Sequence, residues 1–182
     1  NLELNKGKGY ALRKSLEQAC GELILFIDGG MELHPKEIRV FIALQDIYQA
    51  DIVIGSKRHP QSIVYYPLSR RFLSLVYQGL IKWLFDLRIT DTQVGLKLLR
   101  ADVVRTVLPK LKTNSYAFDL ELLVKANHLG FKTILEAPIE LDYFSKRRRP
   151  PFLEFFHVSY ISILLFLETI QIYLDVRKEN NE

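Results

Sequence analysis

The chain has 182 residues, of which 48% are hydrophobic and 12% aromatic, and its formal net charge is +4. That length suits one domain with a real core, and the apolar content excludes a disordered tail. A single cysteine, Cys20, excludes an internal disulfide and fits a reducing compartment.

The opening residues, NLELNKGKGYALRKSLEQA, show no initiator Met, no basic n-region and no apolar h-region, so no signal peptide is visible. The chain starts on a loop and a helix, which reads as a fragment. Helical periodicity begins after Gly9, with Tyr10, Ala11, Leu12, Leu16 and Ala19 on one face and Gly21 as the stop. Residues 22–28 form a continuous apolar run, of the kind buried on both faces of a parallel sheet, and end on Asp28 and two glycines. Pro35 opens a second helix with Ile38, Phe41, Ile42 and Leu44 as its core side, and residues 50–58 form another buried strand that breaks at Gly55. This alternation predicts an α/β domain with a mixed, mostly parallel sheet flanked by helices.

A long helix rich in leucine and aromatics is predicted from Pro67 to Phe85, with Arg70, Arg71 and Lys82 as its charges. RITDTQVGLKLLR, residues 88–100, reads as a polar loop entering a short strand, and Ala101–Leu111 reads as helix. A further helix covers 118–129 and closes on Gly130, and residues 132–141 form a strand that Pro138 assigns to a sheet edge. The last element, about 153–176, is an apolar helix preceded by the basic block Lys146–Arg149. Its longest uncharged stretch, Phe155–Leu167, is 13 residues, short of the roughly 20 that span a bilayer. Glu154, His157, Glu168, Gln171 and Asp175 fall close to one polar stripe. Such a helix either lies in a membrane interface or packs on the domain. The division expected is 1–150 for the α/β domain and 151–182 for this amphipathic helix and a polar tail.

Asp28 stands where open α/β sheets bind ligands, beyond the carboxyl end of a strand, and there one or two carboxylates plus substrate phosphates hold Mg²⁺ or Mn²⁺. An Asp-Gly-Gly sequence is equally a plain turn. Asp91 lies in a polar loop with the amide of Gln93 and with Gly95, which permits close backbone approach. Asp119 and Glu121 open a predicted helix, where a capping role competes with a chemical one. Lys57, Arg58, Arg70, Arg71 and Arg147–Arg149 are either a phosphate clamp or a solvated surface. No nucleic-acid-binding motif is present.

In order, NKGKGYALRKSLEQACGELILFIDGG, DIVIGSKRH, ITDTQVGLKLLR and SYAFDLELLVKANHLG resemble successive motifs of family 2 glycosyltransferases, most closely the polyprenyl-phosphate sugar transferases. The resemblance runs from Asn5 to about Tyr143. It implies a GT-A fold, N-terminally truncated here, and transfer of a sugar from a nucleotide-sugar to a polyprenyl phosphate at the cytoplasmic face of a membrane, with a bridging divalent cation. By position it implies Asp28 as ligand of metal and nucleotide, and Asp91 and Asp119 as candidate catalytic or orienting carboxylates. Lys8, Lys57, Arg58, Arg70, Arg71, Gln93, Arg147 and Arg149 match groups expected around the phosphates. The chain departs from the pattern at Gly30, which replaces the second carboxylate of the Asp-x-Asp motif; Glu32, two residues on, is the alternative metal ligand. A non-catalytic remnant of the fold, serving as a binding module, is the competing reading.

Overall fold

The computed structural model describes residues 6–30, 33–65, 68–142 and 151–179. Helix α1 (Lys8–Leu16) leads into strand β1 (Leu23–Ile27), and a short 3-10 turn starting at Pro35 feeds α2 (Ile38–Tyr48). Strand β2 (Ile52–Ser56) is followed by β3 (Ile63–Tyr65), a short strand with no counterpart in the expectation, and by α3 (Leu68–Leu84). Then come β4 (Leu96–Arg100), α4 (Ala101–Val107), α5 (Phe118–His128), β5 (Ile134–Pro138), β6 (Glu140–Asp142) and α6 (Pro151–Glu179).

The main sheet has the order β1-β4-β2-β5, and β3 and β6 form a separate parallel pair. Strands β1, β2 and β5 run the same way, as the β-α-β alternation leads one to expect. Only β2 and β5 pair in parallel, however, because β4 inserts between β1 and β2 and runs antiparallel to both. The sheet is therefore mixed but less parallel than its pattern suggested. The long excursion through β3, α3 and the 88–95 loop leaves β2 at its carboxyl end and re-enters the sheet at that same end, beside Asp28, which reverses β4. Strand β5 lies at the sheet edge, where Pro138 removes no ladder donor that the sheet needs.

Two apolar cores flank the sheet. The larger is built from β1, β2 and β4 with α4, α5 and part of α6 (Ile54, Leu99, Phe118, Leu122 and Ile172 among others). The smaller packs Phe41 of α2 against Val53, Leu96, Leu98 and Ala137. Helix α5 is buried nearly all round, its charged residues included.

Helix α6 lies along the domain with Glu168, Asp175 and Glu179 turned inward, while Arg177 and Lys178 are exposed. Glu168 accepts from the Ser115 hydroxyl, Asp175 pairs with Lys112 at 3.2 Å, and Glu179 pairs with the buried Lys125 at 2.5 Å. Its segment Val158–Glu179 is long and apolar enough to cross a membrane by length and composition, yet these three ties and the buried Thr169 and Ile172 dock one side of it on the domain. The side turned outward carries Tyr160, Ile163, Leu167 and Leu174.

Candidate active site

Asp28 follows β1, and its backbone N–H donates to the Gly95 carbonyl at 2.7 Å. The loop before β4 thus lies flat against the end of β1. A Cβ on Gly95 would overlap the Asp28 carboxylate, so only glycine leaves that side chain its place.

Behind Asp28 stands a chain of alternating charges. The Lys8 ammonium lies 3.0 Å from the half-exposed Asp28 carboxylate and 2.7 Å from Asp119. Asp119, 1% exposed, also receives Lys97 at 2.6 Å, and Lys97 donates in addition to the Val94 carbonyl at 2.6 Å. The Lys97 ammonium sits 5.5 Å from the Phe26 ring centre. Burial alone would raise the pKa of Asp119, but Lys97 and Lys8 outweigh it and hold the carboxyl below its ordinary value. Burial likewise opposes the charge on Lys8, and Asp119 and Asp28 outweigh that to keep it cationic. Asp119 does not cap α5: its oxygens are taken by the two lysines. Glu121 instead accepts from the backbone N–H groups of Lys112 and Thr113, at 3.0 and 2.9 Å.

A second cluster surrounds Asp91. Its carboxylate accepts from the Lys57 backbone at 3.1 Å, the Lys57 ammonium at 2.7 Å and the Gln93 N–H at 3.2 Å. Glu136, on β5, accepts from the backbone N–H groups of Thr90 and Asp91 at 2.9 and 3.1 Å and from the Thr90 hydroxyl. The loop that carries Asp91 is thus held from the sheet edge. The Arg58 guanidinium donates to the Thr90 carbonyl and, at 2.9 Å, to the carbonyl and hydroxyl oxygens of Ser74 on α3. It is a strut between loop and helix, with both terminal nitrogens engaged.

These groups meet at one end of a cavity of about 580 Å³. Its polar end is lined by Asp28, Gly30, Lys57, Gln93 and Gly95; its body is apolar, built from Val76, Tyr77 and Leu80 of α3 and Ile161, Leu165 and Phe166 of α6. The Gln93 amide nitrogen is buried there without a partner among the described residues. Tyr77 bonds Thr169 across the seam at 2.9 Å, and burial pushes its hydroxyl up to about 12, so it stays protonated.

The structure therefore brings Asp28, Lys57 and Gln93 to the cavity and sets Lys8, Asp91 and Asp119 directly behind them. Arg71 is exposed on α3, away from the lining. The side chain of Arg70, and all of Glu32, Arg147 and Arg149, lie outside the described residues. Two contributors escaped the sequence reading: Lys97 and Glu136. Each is a charge in the interior of a strand, LKLLR (which ends on a second charge, Arg100) and ILEAP, and that anomaly was the available signal, since a buried charge needs a partner.

Residues 1–108, more than half the chain, match the model of glycosyl transferase family 2. The chain belongs to this family. It is 36% identical over 138 residues to a dolichyl-phosphate beta-glucosyltransferase of Drosophila melanogaster, covering 70% of this chain and 42% of that protein. It is 33% identical over 147 residues to a dolichyl-phosphate beta-glucosyltransferase of Trichomonas vaginalis, covering 77% and 44%. The chain thus spans less than half the length of these curated relatives. Its fold resembles that of glucosyl-3-phosphoglycerate synthase from Mycobacterium tuberculosis, solved with Mn²⁺, uridine-diphosphate-glucose and phosphoglyceric acid, at a TM-score of 0.69 and 18% identity over 94% of this chain and 56% of that one.

Whether this family member's residues fit a divalent cation is decided by the donor set. Among the described residues no group of three or more His, Cys, Asp or Glu is gathered to hold a metal. Asp28 is half-exposed and opens on the cavity, and Gly30 has no side chain to offer. One carboxylate fits a cation whose remaining ligands are substrate phosphates and water, and does not fit an all-protein cage.

Proposed function

We propose that the protein transfers a sugar from a nucleotide-sugar to a polyprenyl phosphate at a membrane surface. The observation that carries this reading is the two-part cavity: an apolar body between α3 and α6, leading to a polar end with Asp28, Lys57 and Gln93. An isoprenoid chain suits the first part and phosphates suit the second. The dolichyl-phosphate beta-glucosyltransferases among its relatives point the same way.

In this reading an oxygen of the acceptor phosphate bonds to the anomeric carbon while the bond from that carbon to the nucleoside diphosphate breaks, and the electron pair leaves with the diphosphate. The acceptor is already anionic at neutral pH, so it needs placement more than deprotonation. Lys57 meets the phosphate, and Asp91, 3% exposed and absent from the cavity lining, fixes the Lys57 ammonium rather than taking a proton. The free N–H of Gln93 donates to a phosphate or sugar oxygen. A divalent cation held by Asp28 would stabilise the charge that develops on the leaving diphosphate.

Apolar side chains exposed on α3 and α6 support the membrane surface: Phe72, Leu75 and Trp83 on one helix, Tyr160, Ile163 and Leu167 on the other. The reading includes the cytoplasmic face, in keeping with the lone thiol.

The test uses the full-length protein with a radiolabelled nucleotide-hexose, Mn²⁺ and a polyprenyl phosphate in detergent. Label is expected in the organic-extractable lipid. No lipid-linked label, with the nucleotide-sugar still bound, would instead establish the non-catalytic module that Gly30 favours.

A further inference from the structure

The geometry points to Lys8 as a built-in cation that competes with a divalent metal for Asp28, so that this corner of the site holds an anionic diphosphate by its ammonium and takes metal weakly. The inference deepens the proposed transfer and rests on that reading for the diphosphate.

Lys8 is held in place by its backbone. A Cβ on Gly9 would lie 2.6 Å from the Thr113 carbonyl oxygen, and one on Gly7 would overlap the Asn114 carbonyl. Both glycines therefore dock on the 113–115 segment, and the Tyr10 N–H donates to the Asn114 carbonyl at 3.2 Å. The ammonium is held from behind by Asp119 at 2.7 Å, so it cannot swing clear of Asp28 without abandoning a buried carboxylate.

The charge count gives that placement its meaning. Lys97 and Asp119 neutralise one another in the interior, at 2.6 Å. The positive charge of Lys8 is then left over, and Asp28 is what it faces, with both carboxylate oxygens in reach at 3.0 and 3.3 Å. A metal seeking Asp28 meets an oxygen pair already compensated and a like charge within ion-pair distance. Gly30 offers no second carboxylate to tip the balance. A diphosphate entering the same corner meets the reverse: the ammonium of Lys8, whose side chain is 22% exposed just behind Asp28, and a cluster of four charges with no net negative charge to repel it.

Two bindings measured on the full-length protein test this: Mn²⁺, from the free-ion electron paramagnetic resonance signal, and inorganic pyrophosphate in EDTA, by calorimetry. K8M should tighten Mn²⁺ about tenfold or more, the scale set by removing one like charge at ion-pair distance, and should weaken pyrophosphate by about as much. Shifts in opposite directions cannot come from a folding defect. The double variant K8M/D28N should lose the Mn²⁺ that K8M gained. The proposal is overturned if K8M binds Mn²⁺ no tighter than the unaltered protein, or if the gain survives D28N. Should K8M fail to fold, the unaltered chain still decides: saturating Mn²⁺ should raise the acetylation of Lys8 by an amine-reactive reagent, read by mass spectrometry, and unchanged labelling rejects the displacement. Neither readout involves sugar or lipid. Failure here leaves the transferase reading standing, and a failed transfer assay alongside both shifts sinks that reading alone.

Discussion

At one end of the sheet Asp119 and Lys97 are sealed from water as an ion pair, although burial draws the Lys97 pKa below the ordinary lysine value; on α3 and α6 Trp83, 81% exposed, and Tyr160 stand in water and carry no charge. Each region inverts the usual distribution, and each has its own reason. The buried charges persist because they are paired: Lys97 and Lys8 converge on one carboxylate, and Asp91 and Lys57 on each other. Ion pairs this deep are poor stabilisers compared with apolar packing, so their presence beside a cavity argues for placement of charge as their use. The exposed apolar residues are not covered by any of the described residues. They make sense where the neighbouring phase is not water, as the proposed membrane surface supplies.

The sharpest way to break the first region is Asp119→Ala. It strips the fully buried Lys97 of its carboxylate and should cost about 3–5 kcal/mol of stability, read by urea unfolding. The pH dependence has a definite sign. Because the folded pKa of Asp119 lies below its ordinary value, its contribution is present above about pH 4, the unfolded value, and is lost as pH falls through the lower folded one. Asp119→Asn should flatten that acid limb. An unchanged limb would mean that Asp119 does not carry it.

Lys57→Ala comes next. It should lower the melting temperature, because it leaves the buried Asp91 carboxylate without its ammonium, and lower kcat/KM for lipid transfer by about 100-fold, the usual scale for one lost charge-stabilising donor. Asp91→Asn should follow it at smaller size, with the acid limb of the pH–rate profile unchanged, because Asp91 is read as an orienting group; loss of that limb would assign it proton transfer instead. The second region is tested by Trp83→Glu with Tyr160→Glu. Sedimentation with vesicles should fall about tenfold, on the scale of one or two buried aromatic rings, with stability unaltered. The smallest effect is expected at the seam between the regions. Tyr77→Phe deletes the bond to Thr169 and should cost about 1 kcal/mol.

Much of this was legible in the chain. The apolar run ending on Asp28 is a strand with its carboxylate at the site, Gly95 does permit a close approach, and Pro138 does mark an edge. The pairing direction was not legible, because alternation of strands and helices records direction and not which strand inserts between which. The fate of Arg58 was equally hidden: sequence shows a cation beside Lys57, and only the fold shows its donors engaged by Thr90 and Ser74. The apolar helix α6 was read with two alternatives, interface or packing, and it does pack. Of its polar stripe, Glu168 and Asp175 turn inward to Ser115 and Lys112, Gln171 is exposed, and Glu154 and His157 lie outside the described side chains; the apolar flank is left for whatever lies outside.

The Arg58 strut has one more consequence. It ties Thr90, next to Asp91, to Ser74, on the helix whose outer side carries Phe72 and Leu75. The polar end of the cavity is thereby set at a fixed depth beneath the greasy surface of α3, like a floor hung from a ceiling. In the proposed reading, that fixed drop, held from the sheet by Glu136 and from α3 by Arg58, is what would meet a phosphate carried at the lipid boundary.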